Sequence, residues 1–262
     1  MSIITLTTDW KANDFYVGAV KGAIISECPE ATIIDITHQV QTYNIAQAAF
    51  ILRNSYNHYP KGTIHIIGVN SESSKKHPYV VIKADGHYFI GAANGIFGLM
   101  FDEKPEIIVK TKSEDGLSSF PELSFFSKTA CDLSKGKDIL ELGERISDLS
   151  QQIPIIPAVD ENVITGSIIY IDSYENAITN ISQDLFNKAG KNRKFEILIK
   201  SNSNRINKIN KTYDETSIGE LLAIFNSLNL LEIAINKGKV CELLDLNINT
   251  TIRIKFYDNT DN

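Results

Sequence analysis

Cysteine is scarce: Cys28, Cys131 and Cys241 are the three in 262 residues. Their odd number and wide spacing exclude a disulfide framework and show no zinc or redox-pair pattern. Buried free thiols in a reducing compartment are the expectation. Basic charge is also in deficit. Lys and Arg number 26 against 32 Asp and Glu, giving a net charge of −6. That argues against a global electrostatic grip on nucleic acid or on an anionic membrane. Long apolar runs are missing, and none approaches the roughly 20 residues of a membrane span. The stretch MSIITLTTDW lacks a basic n-region and reaches Asp9 within one strand length. It does not read as a signal peptide, so a cytoplasmic protein is expected. Familiar signatures are absent too: no phosphate loop, no G-x-G-x-x-G, H-E-x-x-H, G-x-S-x-G or EF-hand loop occurs. His38, His58, His65, His77 and His87 show no metal-ligand spacing and read as structural or surface residues.

What is present is ordinary globular material. The chain is 43% hydrophobic, 22% charged and 9% aromatic, enough for a sizeable core. Ile3–Thr8 is a β-branched run ending at Asp9, and Asp14 stands ready to cap a helix over Phe15–Ser26. Strands are expected at Ala31–Ile36 and Thr63–Val69, with a helix over Tyr43–Tyr56 capped by Asn44. Tyr79–Lys83 and Tyr88–Ile90 flank an Asp85-Gly86 turn. The alternation predicts an α/β domain with a mainly parallel sheet, over residues 1–152. Ligands of such sheets sit at the carboxyl ends of the strands, where Asp9, Asp14 and Asn70 fall.

Ser127–Lys135 reads as a helix, and Pro154 and Pro157 mark a linker over residues 153–162. A smaller β-rich domain is expected over 163–262, with strands at Val163–Ile171, Phe195–Lys200 and Ile252–Phe256. Leu221–Ile224 and Leu230–Ile235 carry the remaining hydrophobic runs, and Ser201–Thr216 reads as a loop or loose-tipped hairpin.

Three polar clusters carry possible chemistry, and each has a plainer reading. Asp9 and Asp14 suit a ribose diol and an ammonium, because carboxylates accept charge-assisted hydrogen bonds. They equally suit a turn and a helix cap. The stretch Gly68–His77 carries a polar loop after a buried strand and fits either a ligand or a solvated hairpin connection. In Asp172-Ser173-Tyr174-Glu175-Asn176, Tyr174 is placed to stack on a flat base, but Asp and Asn also favour turns by bonding their own backbone.

Taken in order, these pieces resemble the S-adenosylmethionine hydroxide adenosyltransferase family, whose relatives include fluorinases and chlorinases. The resemblance rests on Leu6-Thr7-Thr8-Asp9, Asp14-Phe15-Tyr16-Val17-Gly18, Ile34-Asp35-Ile36-Thr37-His38 and Gly91-Ala92-Ala93-Asn94-Gly95. It continues through Asp172–Asn176 into Thr179-Asn180, then Gly219-Glu220, Phe225-Asn226-Ser227 and Leu231–Asn236. It implies an α/β domain followed by a small β-barrel-like domain, in a homotrimer whose site lies at a subunit interface. The implied reaction is water attack at ribose C5′ of S-adenosylmethionine, giving adenosine and L-methionine. No metal or organic cofactor is implied, and neither nucleic acid nor membrane is a partner. Asp9 would then bond the ribose hydroxyls and Asp14 the methionine ammonium. Tyr43 and Phe120 would line the site. Asp172, Tyr174, Asn176 and Ser227 would serve the adenine or methionine end, with the backbone of Ala234–Asn236 near the adenine.

The departures fall on the chemistry. Hydrolytic members use an Asp–Arg–His set around water. Here Asn70 stands for the Asp, and Lys75 or Lys76 for the Arg. Pro121 stands for the His, followed by Glu122, Leu123 and Ser124. Asn70 can orient water but is no base near neutral pH. Lysine lacks the planar arginine fork. Lys11 also replaces a usual glycine. Three readings follow: a hydrolase with rearranged water activation through Glu72, Lys75, Lys76 or His77; a non-catalytic binder of S-adenosylmethionine or adenosine; or a halide-using adenosyl transferase.

Overall fold

The computed structural model describes residues 2–111, 119–149, 152–200 and 204–257. The chain divides into two compact units, Met1–Ile153 and Pro154–Asn262.

The first unit contains β1 (Ile3–Thr8), α1 (Phe15–Glu27), β2 (Thr32–Thr37), α2 (Ile45–Arg53), β3 (Ile64–Gly68), β4 (Tyr79–Ala84) and β5 (His87–Ala92). It continues with α3 (Ile96–Met100), β6 (Ile107–Thr111), α4 (Ser127–Ser134) and β7 (Gly143–Arg145). One sheet runs in the order β2-β1-β3-β5-β4-β6-β7. Its β2, β1, β3 and β5 are parallel neighbours. Its β4, β6 and β7 pair antiparallel, because the Asp85-Gly86 turn folds β5 back onto β4. The sheet is therefore mixed, and the carboxyl ends of its parallel strands lead into the Asp9 and Asn70 loops.

Alternation along the strands gives each sheet face a core. Ile4 and Leu6 of β1 and Ile64 and Ile66 of β3 pack with Val20 and Ile24 of α1 and Ala130 and Leu133 of α4. Ile67 and Phe89 face the other way, toward Ala48 and Leu52 of α2 and Ile96 and Phe97 of α3. Each buried aliphatic side chain contributes about 1.5–3 kcal/mol. Asn44 caps α2 as expected, its Oδ1 accepting Gln47 N–H at 2.9 Å. The expected Tyr43–Tyr56 helix is shorter at both ends, because Tyr43 has φ +63° and the chain after Arg53 breaks into a 3₁₀ turn at Tyr56–His58.

The second unit contains β8 (Ala158–Asp160), β9 (Val163–Ile171), β10 (Ala177–Ser182), α5 (Gln183–Gly190), β11 (Lys194–Ile199) and β12 (Asn204–Ile206). Then follow β13 (Leu221–Phe225), β14 (Leu230–Ile235), α6 (Val240–Leu244) and β15 (Thr251–Tyr257). The antiparallel order is β12-β11-β15-β9-β10-β14-β13, with β8 paired to β9. Asn210 N–H bonds Ala223 O at 2.8 Å, bringing the chain after β12 to β13 and nearly closing a barrel. The residues read as linker thus include a short strand, β8. Ile164, Ile168, Ile252, Ile254 and Phe256 point inward, while Arg253 and Thr251 point out. A β-carbon on Gly166 would lie 2.5 Å from Ile181 Cγ1, so glycine is what lets β9 pass β10 there.

All three cysteines are buried free thiols. Among the described residues no helix is long and apolar enough to cross a membrane.

Candidate active site

The carboxyl ends of β1 and β2 are tied together by short hydrogen bonds. Lys11 N–H donates to His38 O at 2.8 Å, and Asp9 Oδ2 accepts the Tyr43 N–H at 2.8 Å. Asp9 therefore links the loop after β1 to the entrance of α2. Thr8 Oγ1 and His38 Nδ1 lie 2.7 Å apart, and the Trp10 ring stacks on His38 with centroids 6.4 Å apart. Lys11 has φ +66°, the left-handed region where glycine costs least. The turn thus keeps the shape that a glycine would favour.

Phe120 packs edge-on against Trp10 at 5.3 Å and against Tyr16 at 5.0 Å. Trp10, Tyr16 and Phe120 form an aromatic wall beside Asp9. Tyr43 is largely exposed, as is Phe15 at the start of α1. Asp14 is the exposed N-cap of α1, its Oδ1 accepting Phe15 N–H at 2.8 Å. The cap uses Oδ1, and a carboxylate has a second acceptor oxygen, Oδ2.

Asn70 is exposed at φ +47°. Its carbonyl accepts Asn94 Nδ2 at 2.8 Å, and the same amide reaches Val69 O at 3.1 Å. The Gly91–Gly95 segment thereby clamps the loop that follows β3. Lys75 and Lys76 are exposed on that loop, and His77 is tied by Nδ1 to Ala93 O at 3.0 Å.

The structure brings a further carboxylate to this edge. Glu122 opens a π-helical turn, Glu122–Phe126, and is 2% exposed. Ser71 Oγ donates to Glu122 Oε1. A β-carbon on Gly68 would meet Trp10 Cζ2 at 2.9 Å and Glu122 Oε1 at 3.0 Å, so Gly68 makes room for both side chains. Burial pushes the Glu122 carboxyl above its ordinary range; the Ser71 bond opposes this, and the charge of Asp9 adds to it. Glu122 carries no sequence signal of ligand binding. The only hint was its place one residue after Phe120-Pro121, where the expected histidine is missing.

In the second unit, Asp172 closes the β9–β10 turn. Its Oδ1 accepts Tyr174 N–H and Asn176 N–H, both at 2.9 Å, and its Oδ2 accepts Asn176 Nδ2 at 3.2 Å. Asn176 is buried, and the turn presents Tyr174 to solvent, 75% exposed. Ser227 is exposed in the β13–β14 turn, where Asn226 Oδ1 accepts from Leu228 and Leu230 N–H. Glu232 is buried nearby and accepts from Tyr213 OH at 2.7 Å and Asn226 Nδ2 at 3.1 Å.

Among the described residues no cluster of three or more His, Cys, Asp or Glu is placed to hold a metal ion. In the first unit, Asp9, Tyr43, Phe120 and the Asn70 loop share one edge with Trp10 and Glu122, and Asp14 borders it through the adjoining Tyr16. In the second unit, Asp172, Tyr174 and Asn176 share one turn. Lys75 and Lys76 extend from the edge into solvent.

The comparisons follow the same two-part division. Residues 4–143 match the SAM hydroxide adenosyltransferase N-terminal domain, and residues 166–253 match its C-terminal domain. A (R)-S-adenosyl-L-methionine hydrolase of Methanocaldococcus jannaschii is 28% identical over 70% of this chain and 68% of that protein. One of the same name from Thermus thermophilus is 22% identical over 97% of this chain and 100% of its own. A fluorinase of an Actinoplanes species is 23% identical over 72% of this chain and 74% of its own. In fold, a crystal structure of a conserved protein from Thermotoga maritima superposes with a TM-score of 0.86 at 24% identity, covering 97% of this chain and 100% of that one. With both domains matched across most of its length, this chain belongs to the SAM hydroxide adenosyltransferase family.

Proposed function

We propose that this protein hydrolyses S-adenosylmethionine, with water attacking ribose C5′ to release adenosine and L-methionine. The observation that carries the reading is the position of Asp9. In a chain of this family, it holds a carboxylate at the carboxyl edge of the parallel strands, beside an aromatic wall.

The sulfonium is a good leaving group, so the protein's task is placement and dehydration. Water, C5′ and sulfur must lie in line, a positioning contribution. Trp10, Tyr16 and Phe120 supply an apolar surface that limits competing solvent. Asp9 Oδ1 would take the ribose diol while Oδ2 stays on Tyr43 N–H. Asp14 would take the ammonium. Tyr174, Asp172, Asn176 and Ser227 would close the adenine or methionine end from a neighbouring subunit of a homotrimer. A reducing cytoplasmic setting accords with three free thiols.

A non-catalytic binder is the second reading, favoured by the exposed Asn70 and by Pro121. Purified protein incubated with S-adenosylmethionine, with and without chloride or fluoride, separates the readings. Adenosine and methionine should form one to one, in proportion to protein. Saturable binding without product supports the binder, and a 5′-halo-5′-deoxyadenosine supports the halide-using transferase.

A further inference from the structure

We infer that Glu122 is the base that takes the proton from the attacking water, and that Ser71 holds it for that task. The inference rests on the hydrolase reading above. Its first support is place. Glu122 lies against Gly68 at the end of β3, beneath the same edge that carries Asp9 and Trp10. Its second support is linkage. Ser71 belongs to the Asn70 loop, so the loop's polar end is bonded directly to this carboxylate.

The third support is cost. A buried carboxylate is expensive unless strongly compensated. The side-chain partner here is a neutral hydroxyl rather than a cation. Buried carboxylates with perturbed protonation cluster at functional sites. Glu122 also opens a π-helical turn, with Ser127 Oγ donating to Glu122 O at 2.7 Å, and such turns gather at functional sites.

The alternatives are weaker. The Asn70 amide cannot accept a proton. Glu72, Lys75 and Lys76 are exposed, and His77 Nδ1 is engaged by Ala93 O. Among the described residues, the ionisable groups facing Glu122 are Asp9 from the end of β1 and Tyr79 from β4, whose hydroxyl is pushed up by burial and by the Glu122 charge.

The step balances simply. The water oxygen bonds C5′ as the C5′–S bond breaks, and that bond's electron pair becomes the thioether lone pair of methionine. One water proton passes to the Glu122 carboxylate and then to solvent. The other stays on the 5′-hydroxyl of adenosine.

The test compares wild type, Glu122→Gln and Glu122→Asp, reading adenosine release against pH and S-adenosylmethionine affinity by calorimetry. Glu122→Gln should lower kcat at least about 100-fold, within the usual range for a lost general base. Its affinity should stay within about threefold, because the amide preserves shape. Wild-type activity should rise with pH through an acid limb that Glu122→Gln abolishes, since only the ionised carboxylate accepts the proton. Glu122→Asp should keep the limb with a reduced kcat. Wild-type kcat and an unchanged limb in Glu122→Gln would overturn the assignment while leaving the hydrolase reading intact. Parallel loss of binding would show a structural role and overturn it too. Should Glu122→Gln not fold, an undiminished kcat in Glu122→Asp would overturn it. No adenosine from wild type would overturn both readings.

Discussion

Asp9 holds two loops together through one oxygen, so its removal acts on shape as well as on charge. Asp9→Ala frees the Tyr43 N–H and removes the proposed ribose acceptor. S-Adenosylmethionine affinity should fall at least about 100-fold, given about 1.5–3 kcal/mol for each hydrogen bond to a charged group. Calorimetry showing unchanged affinity would remove Asp9 from the site. Gly68→Ala tests the crowding beneath the edge. Its β-carbon would press Trp10 and Glu122, so unfolding free energy should drop by about 1–3 kcal/mol. A neutral result in urea titration would show that the two side chains give way. At this scale the sequence was informative where a residue type implies a local bond. Asp14 and Asn44 are caps, and Asp172 orders its own turn. It was silent on Glu122, because burial and the Ser71 contact join residues 51 positions apart.

Among elements, strands with clear alternation were the most legible. β9 matches its expected bounds of Val163–Ile171, since its inward residues repeat every second position around Gly166. The parallel β1, β2 and β3 were also legible from their β-branched runs. Of the short helices, α4 was legible, its Ser127–Ser134 span matching the expected Ser127–Lys135, whereas α5 and α6 were not. The α5 helix is eight residues long, and much of its definition comes from Ser182 Oγ accepting Leu185 N–H at 3.2 Å. The α6 helix is five residues long and shows no helical period. The α2 cap offers a direct check. Asn44→Ala leaves the Gln47 N–H without its acceptor and should cost about 1 kcal/mol in chemical denaturation. Because Asn44 adjoins Tyr43, the same change should weaken ligand binding modestly. A variant as stable as wild type would show that α2 holds through packing alone.

At the scale of the whole molecule, acid stability depends on groups that no motif announced. His65 is buried between Thr5 and His87, with Thr5 Oγ1 at 2.7 Å and His87 Nδ1 at 3.2 Å. Burial, and then the neighbouring His87, lower its pKa from 6.5 to about 3. The unfolded chain therefore binds a proton below pH 6.5 that the native chain refuses. Stability should fall as pH drops from there toward 3, by up to about 1.4 kcal/mol per pH unit for this group. His87 adds the same sign, and Glu122 opposes it because its native pKa is raised. His65→Gln should flatten the slope of unfolding free energy between about pH 6.5 and 4.5. An equally steep slope would place the dependence elsewhere. The proposed trimer should give a light-scattering mass three times the chain's 29.2 kDa. The deficit of basic charge fits this account, since a cationic substrate needs a few placed carboxylates and no global field. The central claim is that solvent water attacks C5′, and isotope labelling tests it most directly. In ¹⁸O-water the adenosine released from S-adenosylmethionine should carry ¹⁸O in its 5′-hydroxyl; adenosine without the label, or none at all, would contradict it.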